Sequence, residues 1–162
     1  VTDMELLKDH IFPGAKVLDV GCGSGFLCTA FSKMMNDEGT VIGIEHIKEL
    51  AQLSITNISK NNKHLLDKGI IKIFEGDGRL GVKDHGPYNA INVGAVGKQP
   101  PQEILDQLLP GGRLVMPLGQ TDHDQMIYAI DKDKDGKLVY FTSLGVKYVP
   151  LGDKDKQLQG KN

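Results

Sequence analysis

Apolar and polar positions alternate between two rhythms along most of this chain. Met4, Leu7 and Ile11 recur at helical spacing, and the spacing predicts a short amphipathic helix over 2–11 that Pro13-Gly14 ends. Val17, Leu18 and Val20 then crowd together like a strand covered on both faces. Phe26, Leu27, Ala30, Phe31 and Met34 return to helical spacing. Asn36-Asp37-Glu38-Gly39 reads as a turn, and 41–45 as a second strand. Ile47, Leu50, Ala51, Ile55 and Ile58 mark a second long helix, which Asn61-Asn62-Lys63 should fray into a polar stretch reaching Gly69. Strands are expected over 70–74 and 88–93, a short helix over 102–109, a sharp turn at Pro110-Gly111-Gly112 and a fifth strand over 113–117. The rhythm then changes. Residues 125–130 and 138–143 look like two arms of a hairpin, followed by an extended segment over 146–151 and a charged tail. Strands alternating with helices imply an α/β fold with a mostly parallel sheet, and the hairpin adds antiparallel strands at its C-terminal edge. No internal linker divides the chain, so one domain over 1–162 is expected.

The junction of the first strand and its helix carries the densest chemistry. Gly21, Gly23 and Gly25 occupy alternate positions after Asp19-Val20. Without Cβ atoms they reach positive φ and let a ligand lie against the backbone. A strand, glycine loop and helix in this order suits an adenosine cofactor at the carboxyl end of the strand. The spacing is G-x-G-x-G, not the G-x-G-x-x-G of pyrophosphate-binding loops. It resembles the first motif of class I S-adenosylmethionine-dependent methyltransferases. That cofactor has an amino-acid tail in place of a pyrophosphate, and a carboxylate such as Asp19 can attract its ammonium.

Two more acidic residues end strands. Glu45 closes the second strand twenty positions past Gly25, where a carboxylate can accept both hydroxyls of a ribose. Nicotinamide enzymes use the same device, so Glu45 points to adenosine without choosing the cofactor. Asp77, between Gly76 and Gly78, follows the third strand and can face the exocyclic amine of adenine, with the Gly78 N–H toward a ring nitrogen; a surface Asx-turn is the competing reading. Arg79 reads as a solvated charge. Gly94-Ala95-Val96-Gly97 is a small-residue loop that leaves room for a substrate backbone.

Composition narrows the picture only a little. Of 162 residues, 40% are hydrophobic and the net charge is −2, which leaves no broad basic field for nucleic acid or an anionic membrane. No apolar run approaches a membrane span. Cys22 and Cys28 are the only cysteines, read as small buried side chains in a reducing cytosol. His10, His46, His64, His85 and His123 show no metal-ligand spacing. Asp131-Lys132-Asp133-Lys134-Asp135-Gly136 matches the opening of a calcium loop, but Thr142 stands where a bidentate Glu is needed and the flanks are strand-like, so a charged hairpin turn is expected and no metal.

Longer runs carry a closer resemblance. Gly14-Ala15-Lys16-Val17-Leu18-Asp19-Val20-Gly21-Cys22-Gly23-Ser24-Gly25, Glu45-His46-Ile47-Lys48-Glu49-Leu50, Gly76-Asp77-Gly78-Arg79, Leu109-Pro110-Gly111-Gly112-Arg113-Leu114 and Tyr148-Val149-Pro150-Leu151 resemble, in order, the protein-L-isoaspartate (D-aspartate) O-methyltransferase family. The resemblance implies a Rossmann-like class I methyltransferase fold. It also implies repair methylation, from S-adenosyl-L-methionine with S-adenosyl-L-homocysteine as product, of L-isoaspartyl and D-aspartyl residues in damaged peptides and proteins. It places Asp19, Gly21, Gly23, Gly25, Glu45, His46, Asp77, Gly78 and Gln157 at the cofactor, and Val93, Gly94, Ala95 and Val96 in the substrate cleft. Glu45 stands where many relatives carry Asp, Gly152 where the family has Thr, and Asn89 and Asn92 where it commonly has Asp and His. The family also has a preceding Thr-x-Ser-x-Pro-His segment at its active site. This chain opens at Val1, after that segment, so the active-site hydroxyl is expected before Val1. No catalytic hydroxyl is named, and 1–162 is expected to be weakly active or inactive.

Carboxyl methylation needs little acid–base help, because the acceptor is already ionised at neutral pH. That agrees with the lack of a His–Asp or Cys–His constellation. A cytoplasmic monomer acting on flexible peptide segments, without nucleic acid or membrane, is the expected setting. Two rivals stand beside it: a non-catalytic module that holds cofactor or damaged protein, and an NAD(P)-linked oxidoreductase, which would want pyrophosphate glycine spacing and a hydride-handling partner.

Overall fold

The chain winds around its first strand. A computed structural model describes residues 2–120 and 124–148. In it α1 (Thr2–Leu7) and a short 3-10 turn lead to β1 (Lys16–Val20), followed by α2 (Phe26–Met34), β2 (Thr40–Glu45), α3 (Lys48–Asp67), β3 (Ile71–Glu75), β4 (Tyr88–Val93), α4 (Gln102–Leu105) and β5 (Leu108–Leu118). The antiparallel strands β6 (Met126–Lys132), β7 (Leu138–Thr142) and β8 (Lys147–Tyr148) follow. They form one eight-stranded sheet in the order β3-β2-β1-β4-β5-β6-β7-β8 among the described residues. β1 pairs in parallel with β2 on one side and β4 on the other, so chain order reverses across it. Such a reversal opens a crevice beyond the carboxyl ends of the strands, where ligands of open α/β sheets bind.

Two apolar layers clamp the sheet. Val17 on one face packs with Cys22, Cys28, Phe31, Val41 and Ile58, and Leu18 on the other with Ile42, Ile91, Leu105 and Leu114. Val17 and Leu18 are both fully buried. Each such side chain contributes about 1.5–3 kcal/mol by leaving water.

Three elements depart from the expected pattern. α3 does not fray at Asn61-Asn62-Lys63; it continues to Asp67, and only Asn62 leaves helical geometry (φ −136°, ψ 31°). Leu65, seven positions after Ile58, returns to the core and is fully buried, and that burial carries the helix past its polar run. α4 is one turn and not eight residues, because the chain joins the sheet at Leu108. The Tyr88 N–H is bonded to the Gln107 carbonyl (2.8 Å), and Pro110-Gly111-Gly112 becomes an irregular stretch where β4 pairing jumps from Tyr88↔Leu108 to Ala90↔Arg113. The hairpin forms as expected, with Asp133 Oδ1 accepting the N–H groups of Asp135 (2.9 Å) and Lys137 (2.8 Å) across its turn. Val1 lies outside the described residues, and so does any hydroxyl expected before it. Residues 149–151 of the expected 146–151 strand, with Gly152 and Gln157 of the tail, also lie outside them.

Candidate functional site

The glycine loop caps β1 at this crevice. Gly21, Gly23 and Gly25 have φ of +78°, +52° and +85°, the left-handed region that penalises any Cβ. A Cβ on Gly21 would meet nothing within 4 Å, so the loop presents bare backbone to the crevice. Gly25 serves packing instead: its Cβ would fall 3.1 Å from Ile58 and from the Ser54 carbonyl, and its absence lets α2 and α3 converge. The Ser54 hydroxyl donates to the Gly23 carbonyl, and Asn57 Nδ2 to the Ser24 carbonyl at 3.0 Å, so α3 grips the loop from its outer side.

Glu45 stands beside the loop at the end of β2. Oε1 accepts the Gly23 N–H (3.0 Å), and Oε2 accepts those of His46 (3.0 Å) and Ile47 (3.3 Å). A carboxylate offers about four lone-pair positions. The extra methylene relative to Asp therefore brings the group back far enough to brace the loop while keeping acceptor capacity at the rim. His46 is exposed next to it.

Asp77 follows β3, whose Glu75 is in register with Glu45. Its Oδ1 accepts the Arg79 N–H (2.9 Å), closing an Asx-type cap over a 3-10 turn. Arg79 is the exposed, solvated charge expected from the sequence, and it also folds back on this carboxylate: Nε reaches Oδ1 at 3.1 Å and Nη2 reaches Oδ2 at 2.9 Å. Bonds from Arg79, aided by the nearby His46, hold the Asp77 carboxyl below its ordinary range. Gly78 packs onto β1, where a Cβ would come 2.7 Å from Val20 Cγ1. The Gly94 N–H donates to the Val20 carbonyl (2.9 Å), which seats the exposed stretch Gly94-Ala95-Val96 against the glycine loop, while Val93 is buried. Phe26, Leu80 and Val96 are each about half exposed.

Asp19 departs from the expected placement. It lies under the loop, 1% exposed, with Oδ2 accepting from Cys28 Sγ (3.4 Å) and Oδ1 from Asn92 Nδ2 (3.1 Å). Burial pushes its pKa up to about 6, partly opposed by these two bonds. It acts on the crevice from below, not as an exposed contact. Asn89 turns away from this group and accepts the Lys16 N–H at 2.9 Å. Sequence reasoning missed Ser54 and Asn57, since no local pattern links positions about thirty residues apart, whereas Cys22 and Cys28 are buried as expected. Among the described residues no three His, Cys, Asp or Glu side chains could hold a metal.

Sheet order, reversal at β1 and a carboxyl-end glycine loop flanked by two acidic strand ends define a methyltransferase-type α/β fold. Similar solved structures agree. One from Plasmodium falciparum, described as a putative protein-L-isoaspartate O-methyltransferase in complex with S-adenosyl-L-homocysteine, superposes with a TM-score of 0.77 at 27% identity, over 93% of this chain and 69% of that one. The family model for protein-L-isoaspartate(D-aspartate) O-methyltransferase matches residues 2–156, and the chain belongs to that family. Protein-L-isoaspartate O-methyltransferase 2 of Arabidopsis thaliana is 45% identical over 98% of this chain and 51% of its own length. A protein-L-isoaspartate O-methyltransferase of Caenorhabditis elegans is 44% identical over 95% of this chain and 68% of its own. The chain thus spans half to two thirds of the relatives it matches.

Proposed function

We propose that this chain is the cofactor-binding body of an S-adenosyl-L-methionine-dependent methyltransferase acting on L-isoaspartyl and D-aspartyl carboxylates in damaged peptides and proteins. The observation that carries the reading is the rim at the β1–β4 reversal, where bare glycine backbone, Glu45 and Asp77 converge in a member of this family. The donor set fits the cofactor. Glu45 has an acceptor position for a ribose hydroxyl, the Gly78 N–H suits an adenine ring nitrogen, Asp77 would face the adenine amine once an Arg79 bond gives way, and the open loop suits an amino-acid tail. His46 and Gln157 are assigned to the same site from the family resemblance.

Held by the glycine loop, Glu45 and the Asp77–Gly78 turn, the cofactor would supply a methyl group on a positively charged sulfur to a substrate carboxylate. The chain's own residues orient the reactants. Glu45 holds the loop's shape, and Val93 to Val96 give an extended peptide a narrow place to lie. None of these residues moves a proton, and none needs to. A cytoplasmic monomer with no nucleic-acid or membrane partner fits a net charge of −2 and two buried thiols; among the described residues no helix is long and apolar enough to cross a membrane.

The test is calorimetric titration with S-adenosyl-L-homocysteine and with NAD, beside methyl transfer to an isoaspartyl peptide by this chain and by a longer form. Binding of the thioether alone, with transfer in the longer form, supports the proposal. Binding of NAD, or binding without transfer in every form, overturns it.

A further inference from the structure

Two thiols to which methyl transfer gives no task meet beneath the glycine loop. Cys22 belongs to the loop and is 6% exposed, whereas Cys28, in the first turn of α2, is fully sealed. Gly43 on β2 makes the meeting possible. A Cβ there would stand 3.2 Å from Cys22 Cβ and 3.1 Å from Cys28 Sγ, so the two side chains share the space it leaves. Their surroundings differ. Cys22 Sγ lies 3.5 Å from the buried Ser54 hydroxyl, while Cys28 Sγ donates to buried Asp19 Oδ2 at 3.4 Å. The neighbouring Cys28, with burial acting the other way, holds the Cys22 thiol below its ordinary range. The same contact, with burial, pushes Cys28 well above it. One sulfur is therefore suited to attack first and the other to resolve, with a carboxylate beside the second.

We propose that Cys22 and Cys28 are a redox-responsive pair that a peroxide converts into an intramolecular disulfide, reshaping the glycine loop. The Cys22 thiolate attacks one peroxide oxygen; the O–O bond breaks, Cys22 becomes a sulfenic acid, and the second oxygen leaves as water with the proton Cys22 released. Cys28 sulfur then attacks Cys22 sulfur, its proton passes to Asp19, and the sulfenic hydroxyl leaves as water on taking that proton. Two thiols and one peroxide give one disulfide and two waters, and the two electrons come from sulfur. The bond requires the two Cβ atoms about 3.5–4.5 Å apart, so Cys22 turns from Ser54 toward α2. Gly23 is the next residue; its carbonyl is held by Ser54 and its N–H by Glu45, so this turn disturbs the brace on both sides. The pairing stands independently of the proposed function; only its effect on cofactor binding rests on it.

The reduced chain is treated with hydrogen peroxide, digested without reductant, and the peptide spanning 17–33 is weighed. The expected result is loss of two hydrogens, resistance to iodoacetamide, and recovery with dithiothreitol. Cys22→Ser should leave Cys28 unreactive, and Cys28→Ser should leave a Cys22 sulfenic acid that dimedone traps. In a thermal melt S-adenosyl-L-homocysteine should stabilise the reduced protein and lose that effect on the oxidised one. Retention of both thiols at peroxide doses that consume free cysteine overturns the pairing. So does oxygen addition to Cys22 in the wild type without cross-linking, or a disulfide that forms only in urea. An unchanged ligand shift after cross-linking overturns the loop remodelling. A cross-link in protein whose reduced form ignores the ligand upholds the pairing and sinks the cofactor reading instead.

Discussion

Asn92 Nδ2 donates to Asp19 Oδ1 at 3.1 Å, and Asn92 Oδ1 itself has no hydrogen-bond partner among the described residues. The two side chains join β4 to β1 on the buried face under the glycine loop, in register as strand neighbours. The arrangement is one-sided: the amide feeds a buried carboxylate and its carbonyl is left over. Protonation of Asp19 combined with rotation of the amide would let that carbonyl accept the new hydrogen.

The pH dependence of stability follows. The Asp19 pKa is about 6 in the fold against 3.8 for a free carboxyl. The folded state thus holds this proton more tightly than the unfolded one, and the contribution is complete below the lower value and lost as pH climbs through the upper. Urea melts from pH 4 to 7 should show it fade, by about 3 kcal/mol if the full shift is expressed. Asp19→Asn should flatten the difference across that window. A wild-type profile parallel to that of Asp19→Asn would contradict the assignment.

Removing the amide should also be costly. Asn92→Ala leaves Asp19 with Cys28 as its remaining side-chain donor of the two, in a site 1% exposed. A loss of about 1–3 kcal/mol in chemical denaturation is expected, larger at pH 7 than at pH 5, because only the ionised form needs the donor.

Glu45→Gln keeps the size of the side chain but removes its charge, and offers an amide donor where three backbone N–H groups need acceptors. Affinity for S-adenosyl-L-homocysteine should fall by about 2 kcal/mol, roughly thirtyfold. The unliganded melting temperature should drop as well, since the brace on Gly23 is lost. Calorimetry and differential scanning separate the two effects.

Gly78→Ala inserts a Cβ 2.7 Å from Val20 Cγ1. The turn bearing Asp77 must lift from β1, at a cost of about 1–3 kcal/mol. Adenosine itself should lose affinity along with the full thioether, whereas methionine binding should hold.

Arg113→Lys should cost about 1–2 kcal/mol. The guanidinium makes parallel bonds to Asp131 at 2.7 and 2.9 Å and a third to the Leu6 carbonyl at 3.0 Å, a geometry that an ammonium cannot reproduce. Protease sensitivity of α1 should rise together with the loss in urea melts.

β1, its glycine loop, α2 and the acidic ends of β2 and β3 were legible in the sequence because each is governed by local periodicity or by glycines at fixed offsets. The places that misled were decided by distant partners. α3 outruns its polar stretch because Leu65 is buried by the core it meets. β5 begins five residues early because Gln107 and Leu108 pair with Tyr88. Asp19 looked like a ligand contact, yet Cys28 and Asn92 close over it, and Asn92 lies 73 positions along the chain. Arg79 is exposed as its setting suggests, but nothing in the run Asp77-Gly78-Arg79 says that the turn brings the guanidinium back onto the carboxylate.

That separation of 73 positions has a consequence for the nascent chain. As the polypeptide leaves the ribosome, β1, β2 and β3 emerge well before β4, so the inner flank of the first strand waits unpaired until residue 92 is made. During that interval the acidic group and the two sulfurs beneath the loop lack their final cover. An oxidant encountered during synthesis would reach chemistry that the finished sheet keeps almost wholly from solvent.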